Sequence, residues 1–167
     1  ENPPEGELEA FLEVYRKMGG QYKGNSGKLL VNGEHVQKPV ELLETAVYPG
    51  FPTDLQSPVM AVLATVKGRS CIRENVFEDR YKAAQQLVKM GADIRIQGKE
   101  AVIHGGNELH GAIVTAWELR GGAALILGAL CVKGVTVLDG YSYVQRGYEH
   151  ICQDLNTLGA AVKRMQE

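Results

Sequence analysis

The sequence lacks the paired cysteines on which small disulfide-rich domains and zinc-binding modules depend. It holds three cysteines, Cys71, Cys131 and Cys152, and none of them belongs to a Cys-x-x-Cys pair. Disulfide scaffolds and structural zinc sites need cysteines in pairs at defined separations, so neither class is supported. We interpret each cysteine as a small buried hydrophobic residue and expect a reducing, cytoplasmic compartment.

The sequence also lacks a basic excess and a long apolar run. Its 18 Lys and Arg residues against 20 Asp and Glu residues give a net charge of −2, whereas proteins that bind nucleic acids through phosphates are usually basic. The apolar run at 123–132 is closed by Lys133, and a membrane span needs about 20 such residues. We therefore expect neither a nucleic-acid partner nor a membrane partner.

The length is that of one ordinary domain. A chain of 167 residues with 44% hydrophobic residues can bury its own core. It begins with Glu1 rather than Met, and no basic region followed by an apolar stretch stands near this end, so we expect no signal peptide. The first residue favours a chain that is processed or is a piece of a longer protein.

Internal repetition is the strongest pattern in the chain. A helix ending recurs at Met18-Gly19, Met90-Gly91 and Leu158-Gly159, with successive offsets of 72 and 68 residues. A second helix recurs at 54–68 and 118–134. Such a period means that the chain holds about two and a half copies of one structural unit.

Hydrophobic spacing predicts the elements of each unit. Apolar residues at helical intervals cover 8–18 and 77–88, and the glycine stops are typical of helix ends. Short segments, mostly rich in β-branched residues, predict strands at 71–73, 94–97, 102–104, 113–115 and 135–139. Strand-like segments also follow the repeated helix endings at 21–23 and 161–163.

The order of these elements predicts an α/β fold. Each unit should run strand–helix–strand–helix–strand–strand, with parallel pairing across the helices and a final antiparallel hairpin. The helix at 123–132 is apolar almost all round, which predicts that it is buried. We expect a single domain over 1–167, with units at about 1–40 (partial), 41–110 and 111–167.

The first candidate site residues lie where two predicted helices begin. Prolines stiffen the segment before Asp54, and Thr53 or Asp54 is a natural helix N-cap. Glu118 occupies the same position before the helix of the later copy, with Arg120 two residues on. From the residues alone, Asp54 either only caps its helix or belongs to a functional site.

Two further arginines have unusual predicted positions. Arg80 and Arg146 each lie in or beside the first turn of a predicted helix, where the helix dipole disfavours a cation. An anion bound by helix N–H groups and guanidinium groups would explain both placements. A purely structural interpretation, in which all these residues are caps or surface charges, stays open.

Four motifs in chain order resemble the enolpyruvyl transferases, most closely the branch that acts on UDP-N-acetylglucosamine. They are Tyr-Pro-Gly-Phe-Pro-Thr-Asp-Leu-Gln at 48–56, Glu-Asn-Val-Phe-Glu-Asp-Arg at 74–80, Glu-Leu-Arg at 118–120 and Arg-Gly-Tyr-Glu at 146–149. The resemblance covers nearly the whole chain. It implies two similar domains, each an inverse α/β barrel of three βαβαββ units around buried helices, of which this chain is a C-terminal portion.

The resemblance implies an activity and its partners. Family members move the enolpyruvyl group of phosphoenolpyruvate to the 3′-hydroxyl of UDP-N-acetylglucosamine and release phosphate, the first committed step of peptidoglycan synthesis. Neither a cofactor nor a metal is implied. The expected partners are the two small-molecule substrates and the N-terminal domain of the same enzyme, without which we expect the chain to be inactive. Self-association of the uncovered chain is a further hypothesis.

The resemblance also implies a catalytic set. Asp54 matches the carboxylate that contacts the sugar hydroxyl and takes its proton. Arg120 and Arg146 match arginines around phosphoenolpyruvate, where bidentate guanidinium geometry suits a carboxylate or a phosphate. Glu118 matches an aspartate beside them.

The implied substrate-binding set lies around the first two motifs. Thr53 and Asp54 belong to it, and Val76 matches a residue whose backbone contacts the nucleotide sugar. Phe77 is packed beside Val76, and Arg80 matches a further arginine of the cleft.

Several departures from the family pattern motivate a second hypothesis. The family has Thr-Asp-Leu-Arg where this chain has Trp117 and Glu118 before the arginine, and Gln145 replaces an acidic residue. The family's reactive cysteine and Lys-Asn pair belong to the other domain and have no match here. The alternative is therefore a diverged, non-catalytic domain that binds a ligand or a partner on the same scaffold.

Overall fold

Helices and strands are interspersed along the chain, and the computed structural model describes residues 3–165. The helices are α1 (Glu9–Lys17), α2 (Gln56–Thr65), α3 (Lys82–Lys89), α4 (Leu119–Leu130), α5 (Tyr141–Gln145) and α6 (Ile151–Thr157). The strands are β1 (Gln21–Asn25), β2 (Lys28–Asn32), β3 (Leu43–Glu44), β4 (Gly68–Arg73), β5 (Asp93–Gln97), β6 (Glu100–Gly105), β7 (Ile113–Thr115) and β8 (Val137–Asp139). The outer ends of the first and last predicted units, residues 1–2 and 166–167, lie outside this range.

The middle unit has the predicted order of elements. From β3 to β6 the chain runs strand, helix, strand, helix, strand, strand, and the four strands form one sheet in the order β3-β4-β6-β5. β3 pairs parallel to β4, with Leu43 opposite Ile72, whereas β6 pairs antiparallel to both β4 and β5. The α/β class, the parallel pairing across a helix and the closing hairpin are therefore confirmed.

The flanking segments hold parts of the same unit. β1 and β2 form an antiparallel hairpin after α1, as β5 and β6 do after α3. β7 and β8 pair parallel across α4, as β3 and β4 do across α2. Gly19, Gly91 and Gly159 stop their helices at φ angles of +100°, +98° and +95°, which glycine adopts readily.

The predicted strand at 161–163 is wrong. Val162 instead exchanges two hydrogen bonds with the side chain of Asn156, at 2.8 and 2.7 Å. A strand needs a neighbour for its backbone N–H and C=O groups, and no strand pairs with this segment among the residues described. Within the described residues, therefore, no hairpin follows α6 as β5 and β6 follow α3.

The core lies around α2 and α4, which pack against each other. Seven of the ten residues of α2 are buried, because the sheet covers one side of this helix and α3 and α4 cover others. Gly128 allows α4 to approach α3 closely: a Cβ added there would lie 3.1 Å from Leu87 and 3.5 Å from Met90.

Burial is less complete around α4 than its apolar sequence predicts. Leu127 and Leu130 are 36% and 44% exposed, and Cys131 at the end of the helix is also exposed. In the described part of the chain α2, α3 and α5 pack on this helix and leave one of its faces open. Cys71 is buried as predicted, whereas Cys152 is only partly buried.

No helix within residues 3–165 is long and apolar enough to cross a lipid bilayer.

Leu87 tests the packing between α3 and α4. Its side chain is fully buried, so we expect Leu87→Ala to lower the free energy of unfolding by about 2–5 kcal/mol through the cavity it leaves. Val88 follows it on the exposed side of the same helix, with 45% exposure, and Val88→Ala is the matched control with an expected loss below about 1 kcal/mol. Urea denaturation followed by circular dichroism measures both, and equal losses would contradict this core.

Candidate functional site

The N-terminal ends of two helices meet at one place. A single 3₁₀ turn, Thr53–Leu55, leads into α2, and Glu118 stands immediately before α4. Because α2 and α4 pack side by side, the segments before these helices are neighbours although 64 positions separate Asp54 from Glu118. At this junction Arg120 Nε donates a hydrogen bond to Asp54 Oδ1.

Glu118 organises the start of α4. Its carboxylate accepts the backbone N–H groups of Arg120, at 3.0 Å, and of Gly121. The same carboxylate accepts Arg120 Nη1 at 3.1 Å, so the Arg120 guanidinium lies between two carboxylates. Partial burial acts to lower the pKa of Arg120, but the hydrogen bonds and charges of Asp54 and Glu118 outweigh it and raise this pKa.

Arg80 approaches the same carboxylate from another side. Its Nη1 lies 3.9 Å from Asp54 Oδ1, and its side chain is only 18% exposed. The guanidinium carbon stands 4.3 Å from the centre of the Phe77 ring, a cation–π contact. The four residues Asp54, Arg80, Glu118 and Arg120 are called the ion cluster below.

The loop between β4 and α3 carries Arg80 and is anchored at both ends. At one end the Glu74 carboxylate accepts the N–H groups of Val76 and Phe77, at 2.9 and 3.1 Å. At the other end the Tyr81 hydroxyl lies 2.8 Å from the Lys99 carbonyl, and burial raises the pKa of Tyr81 to about 12. The loop is therefore held firmly without being helical.

Two sequence predictions fail in these segments. Phe77 lies outside α3, which begins only at Lys82, because Asp79 has a φ of +55° and interrupts any helix there.

Thr53 and Asp54 cap neither the 3₁₀ turn nor α2, since no side chain accepts a hydrogen bond at the start of either element. The Thr53 hydroxyl donates to Glu74 at 2.9 Å instead, and Asp54 binds Arg120, so the interpretation of Asp54 as only a cap is wrong.

Arg146 is placed differently from its prediction. It follows α5 as the C-terminal cap rather than lying near the first turn of a helix, and a cation is favourable at that end of a helix dipole. Its neighbour Gly147 packs against Leu119, where an added Cβ would lie 2.7 Å from the leucine side chain. The Arg146 backbone is thus beside the start of α4, and its exposed side chain makes no hydrogen bond or ion pair with any described residue.

Val76 presents only one backbone group to a ligand. Its N–H is already bound by Glu74, and its carbonyl accepts no hydrogen bond from another described residue. Any contact between a ligand and the Val76 backbone therefore involves this carbonyl as an acceptor. Phe77 beside it is 53% exposed.

An open pocket of about 430 Å³ adjoins the loop that carries Arg80. Its lining includes Glu74, Phe77, Arg80, Tyr81, Lys82 and Lys99. Among the side chains that the structure describes, no three of His, Cys, Asp or Glu come together as metal ligands could.

The arrangement has a clear chemical character. One exposed carboxylate, Asp54, faces two guanidinium groups that can exchange it for a carboxylate or a phosphate of a ligand.

Residues 1–155 match the family model described as EPSP synthase (3-phosphoshikimate 1-carboxyvinyltransferase). The chain belongs to this family. The resemblance to enolpyruvyl transferases drawn from the four motifs is confirmed.

Curated relatives are similar over nearly the whole chain. UDP-N-acetylglucosamine 1-carboxyvinyltransferase 2 of Clostridium tetani (strain Massachusetts / E88) is 41% identical over 161 residues, which are 96% of this chain and 38% of that protein. UDP-N-acetylglucosamine 1-carboxyvinyltransferase of Koribacter versatilis (strain Ellin345) is 42% identical over 96% of this chain and 37% of its own length. The chain thus spans less than two fifths of these relatives.

Solved structures of the family share this fold. The enolpyruvyl transferase NikO from Streptomyces tendae superimposes with a TM-score of 0.83 and 28% identity, over 93% of this chain and 36% of that one. EPSP synthase from Acinetobacter baumannii superimposes with a TM-score of 0.68 at 18% identity, over the same shares. The predicted enolpyruvyl transferase fold is confirmed by these neighbours.

Sequence reasoning missed the role of Glu74. This residue begins the second motif, but a charged side chain after a strand usually predicts solvent exposure, whereas Glu74 is 2% exposed. The signal that could have found it was its place inside a motif otherwise made of site residues.

Glu118 tests the organisation of α4. Glu118→Ala removes the acceptor of two backbone N–H groups, so we expect the free energy of unfolding to fall by about 1 kcal/mol, as for other lost helix caps. Glu41→Ala is the control, because Glu41 is exposed and makes no hydrogen bond or ion pair with a described residue, and should change stability by less than about 0.5 kcal/mol. Equal effects in urea denaturation would contradict the capping role.

Proposed function

We propose that the protein to which this chain belongs transfers the enolpyruvyl group of phosphoenolpyruvate to the 3′-hydroxyl of UDP-N-acetylglucosamine, with release of phosphate. This is the first committed step of peptidoglycan synthesis. Relatives about 40% identical over nearly all of this chain carry the name of that activity. The observation that carries the proposal is the contact between the Asp54 carboxylate and the Arg120 guanidinium inside the ion cluster.

The reaction requires a base at a hydroxyl and cations at an anionic substrate. In the addition step the sugar oxygen bonds to C2 of phosphoenolpyruvate, its proton goes to the base, and C3 gains a proton. In the elimination step the bond from C2 to the phosphate oxygen breaks, phosphate leaves, and C3 loses a proton to restore the double bond. A positioned carboxylate contributes about 10²–10⁴-fold to such a proton transfer.

We assign the base to Asp54 and the anion-binding groups to the arginines. Asp54 is 64% exposed, so its carboxylate can reach a hydroxyl once the ligand takes over Arg120. Arg120 and Arg146 bind the carboxylate and phosphate of phosphoenolpyruvate, and Arg80 holds Asp54 in place from the other side. Thr53 supports Asp54 through the bond that it donates to Glu74.

The nucleotide sugar is assigned to the loop after β4. The free carbonyl of Val76 accepts a hydrogen bond from it, and the exposed Phe77 ring packs beside it. Both residues stand on the loop that also carries Arg80, so sugar and anion meet next to Asp54.

The departures at the start of α4 fit this assignment. Glu118 reaches both the helix N–H groups and the Arg120 guanidinium with one carboxylate, so its extra methylene still allows it to orient Arg120. Trp117 is 57% exposed and lies before this turn. We expect Trp117 to border the acceptor site and Gln145 to leave Arg146 without an acidic neighbour.

We further propose how the chain contributes to the whole protein. It forms a single domain of about two and a half units, at about 1–40, 41–110 and 111–167, and supplies one wall of a cleft between two domains. The other wall comes from the N-terminal domain, which supplies the proton donor to C3. No cofactor takes part, and the protein works in the cytoplasm on its two small-molecule substrates.

Asp54→Asn in the full-length protein tests the function and the base together. We expect the wild type to release phosphate from phosphoenolpyruvate only when UDP-N-acetylglucosamine is present, and Asp54→Asn to lower kcat by about 10²–10⁴-fold because the amide accepts no proton. A coupled phosphate-release assay measures both, and the 167-residue chain alone should give no turnover.

Asp154→Asn is the control, because it makes the same change on an exposed residue of α6 and should leave kcat unchanged. An unchanged rate in Asp54→Asn would contradict the assignment of the base. A wild type without turnover, but with binding of UDP-N-acetylglucosamine, would replace the proposal with a diverged ligand-binding domain, which Trp117, Glu118 and Gln145 would then explain.

A further inference from the structure

Glu74 is a buried carboxylate that the proposed reaction uses only as the acceptor of the Thr53 hydroxyl. It follows β4 and is 2% exposed. Its Oε2 accepts the Thr53 hydroxyl at 2.9 Å, and its Oε1 accepts the N–H groups of Val76 and Phe77 at 2.9 and 3.1 Å. One side chain therefore ties together two loops that lie on different segments of the chain.

Each of these loops carries part of the ion cluster. Thr53 directly precedes Asp54 in the 3₁₀ turn before α2. Phe77 stacks against Arg80, whose guanidinium stands 3.9 Å from Asp54 Oδ1. Asp54 and Arg80 are therefore linked in two ways. Their charged groups lie close together, and a chain of contacts through Thr53, Glu74 and Phe77 also connects them.

We propose that Glu74 is a positioning residue that fixes Asp54 and Arg80 relative to each other. The hydrogen bonds by which Glu74 joins the two loops, called the tether below, are a property of this chain. Their effect on catalysis rests on the function proposed above. A misplacement of about 1 Å in an active site can cost about 10²-fold in rate, so a tether that fixes two loops has a measurable kinetic consequence.

A carboxylate suits this position for a physical reason. Two backbone N–H groups and the hydroxyls of Thr53 and Thr45 converge on it, and an ionised carboxylate has acceptor sites for all of them. Burial acts to raise the pKa of Glu74, but the hydrogen bonds from Phe77, Val76, Thr53 and Thr45 outweigh it and lower this pKa. Glu74 therefore stays ionised at neutral pH and keeps accepting from both loops.

The substitution Glu74→Gln distinguishes the hydrogen bonds of the tether from the negative charge of the carboxylate. In Glu74→Gln the amide oxygen can keep the N–H bonds of Val76 and Phe77, and the amide nitrogen can donate to the Thr53 hydroxyl oxygen. Glu74→Ala removes both ends of the tether. A positioning role therefore predicts that Gln rescues most of what Ala loses.

Kinetics of the full-length protein provide the first test. Per folded molecule, we expect kcat to fall about 10²-fold in Glu74→Ala and less than about tenfold in Glu74→Gln. A Gln variant as slow as the Ala variant would overturn the proposal in favour of a role for the charge. An Ala variant with wild-type kcat per folded molecule would overturn it in favour of a purely structural role.

Amide resonances of the 167-residue chain provide a second test that needs no activity. Thr53→Val should shift the amide resonances of Val76 and Phe77, because the lost hydroxyl alters the carboxylate that both amides bind. The same substitution should shift neither resonance in a Glu74→Ala background. Thr65→Val is the matched control, since the Thr65 hydroxyl donates to the Val62 carbonyl at the other end of α2, and should shift neither.

The two tests separate this proposal from the proposed function. If the wild type shows no transfer, the function fails while the amide shifts still decide whether the tether exists. If Glu74→Ala does not fold, Thr53→Val in the otherwise wild-type chain is sufficient to test the tether. Unshifted amide resonances of Val76 and Phe77 in that variant would overturn the proposal.

Discussion

The contact between Asp54 and Arg120 is the interaction on which the candidate site depends. Ion pairs as exposed as this one contribute only about 0.2–1 kcal/mol to stability, and Asp54 is 64% exposed. The contact matters because it joins the N-terminal ends of two helices that are distant in sequence. It exists because α2 and α4 pack side by side in the core, so the most buried part of the fold determines where the most reactive groups stand.

Repetition explains why this junction has its form. α2 and α4 are equivalent helices of two copies of one unit, and each is followed by a strand that pairs parallel to the strand before the helix. Equivalent helix N-termini therefore meet, but they carry different chemistry. The segment before α2 presents a carboxylate on a 3₁₀ turn, whereas the start of α4 presents an arginine held by the capping Glu118. The difference between the two copies thus places opposite charges at one junction.

The repeat and the four motifs could be predicted from sequence, because glycine stops, hydrophobic spacing and motif order are local features. Contacts between segments that are distant in the chain could not be predicted in this way. The strand at 161–163 fails since no strand pairs with it among the residues described, and the capping role of Thr53 fails because Glu74, distant in sequence, takes its hydroxyl. The sequence predicts Arg146 near the start of a helix, whereas it follows α5, because the boundaries of α5 depend on packing against α4. The burial of Glu74 likewise depends on two segments, the turn before α2 and the loop after β4, that meet only in the folded chain.

The most direct measurement follows the arginine Nε–Hε resonances of the 167-residue chain while phosphoenolpyruvate is added. We expect Arg120 and Arg80 to shift together and saturate, and Asp54→Asn to move the Arg120 resonance even without ligand. Arg73 is the internal control, because it is paired with Glu44 and Glu100 on the sheet and should not move. Equal shifts at Arg73 and Arg120, or an Arg120 resonance that ignores Asp54→Asn, would contradict the central role of the contact between Asp54 and Arg120.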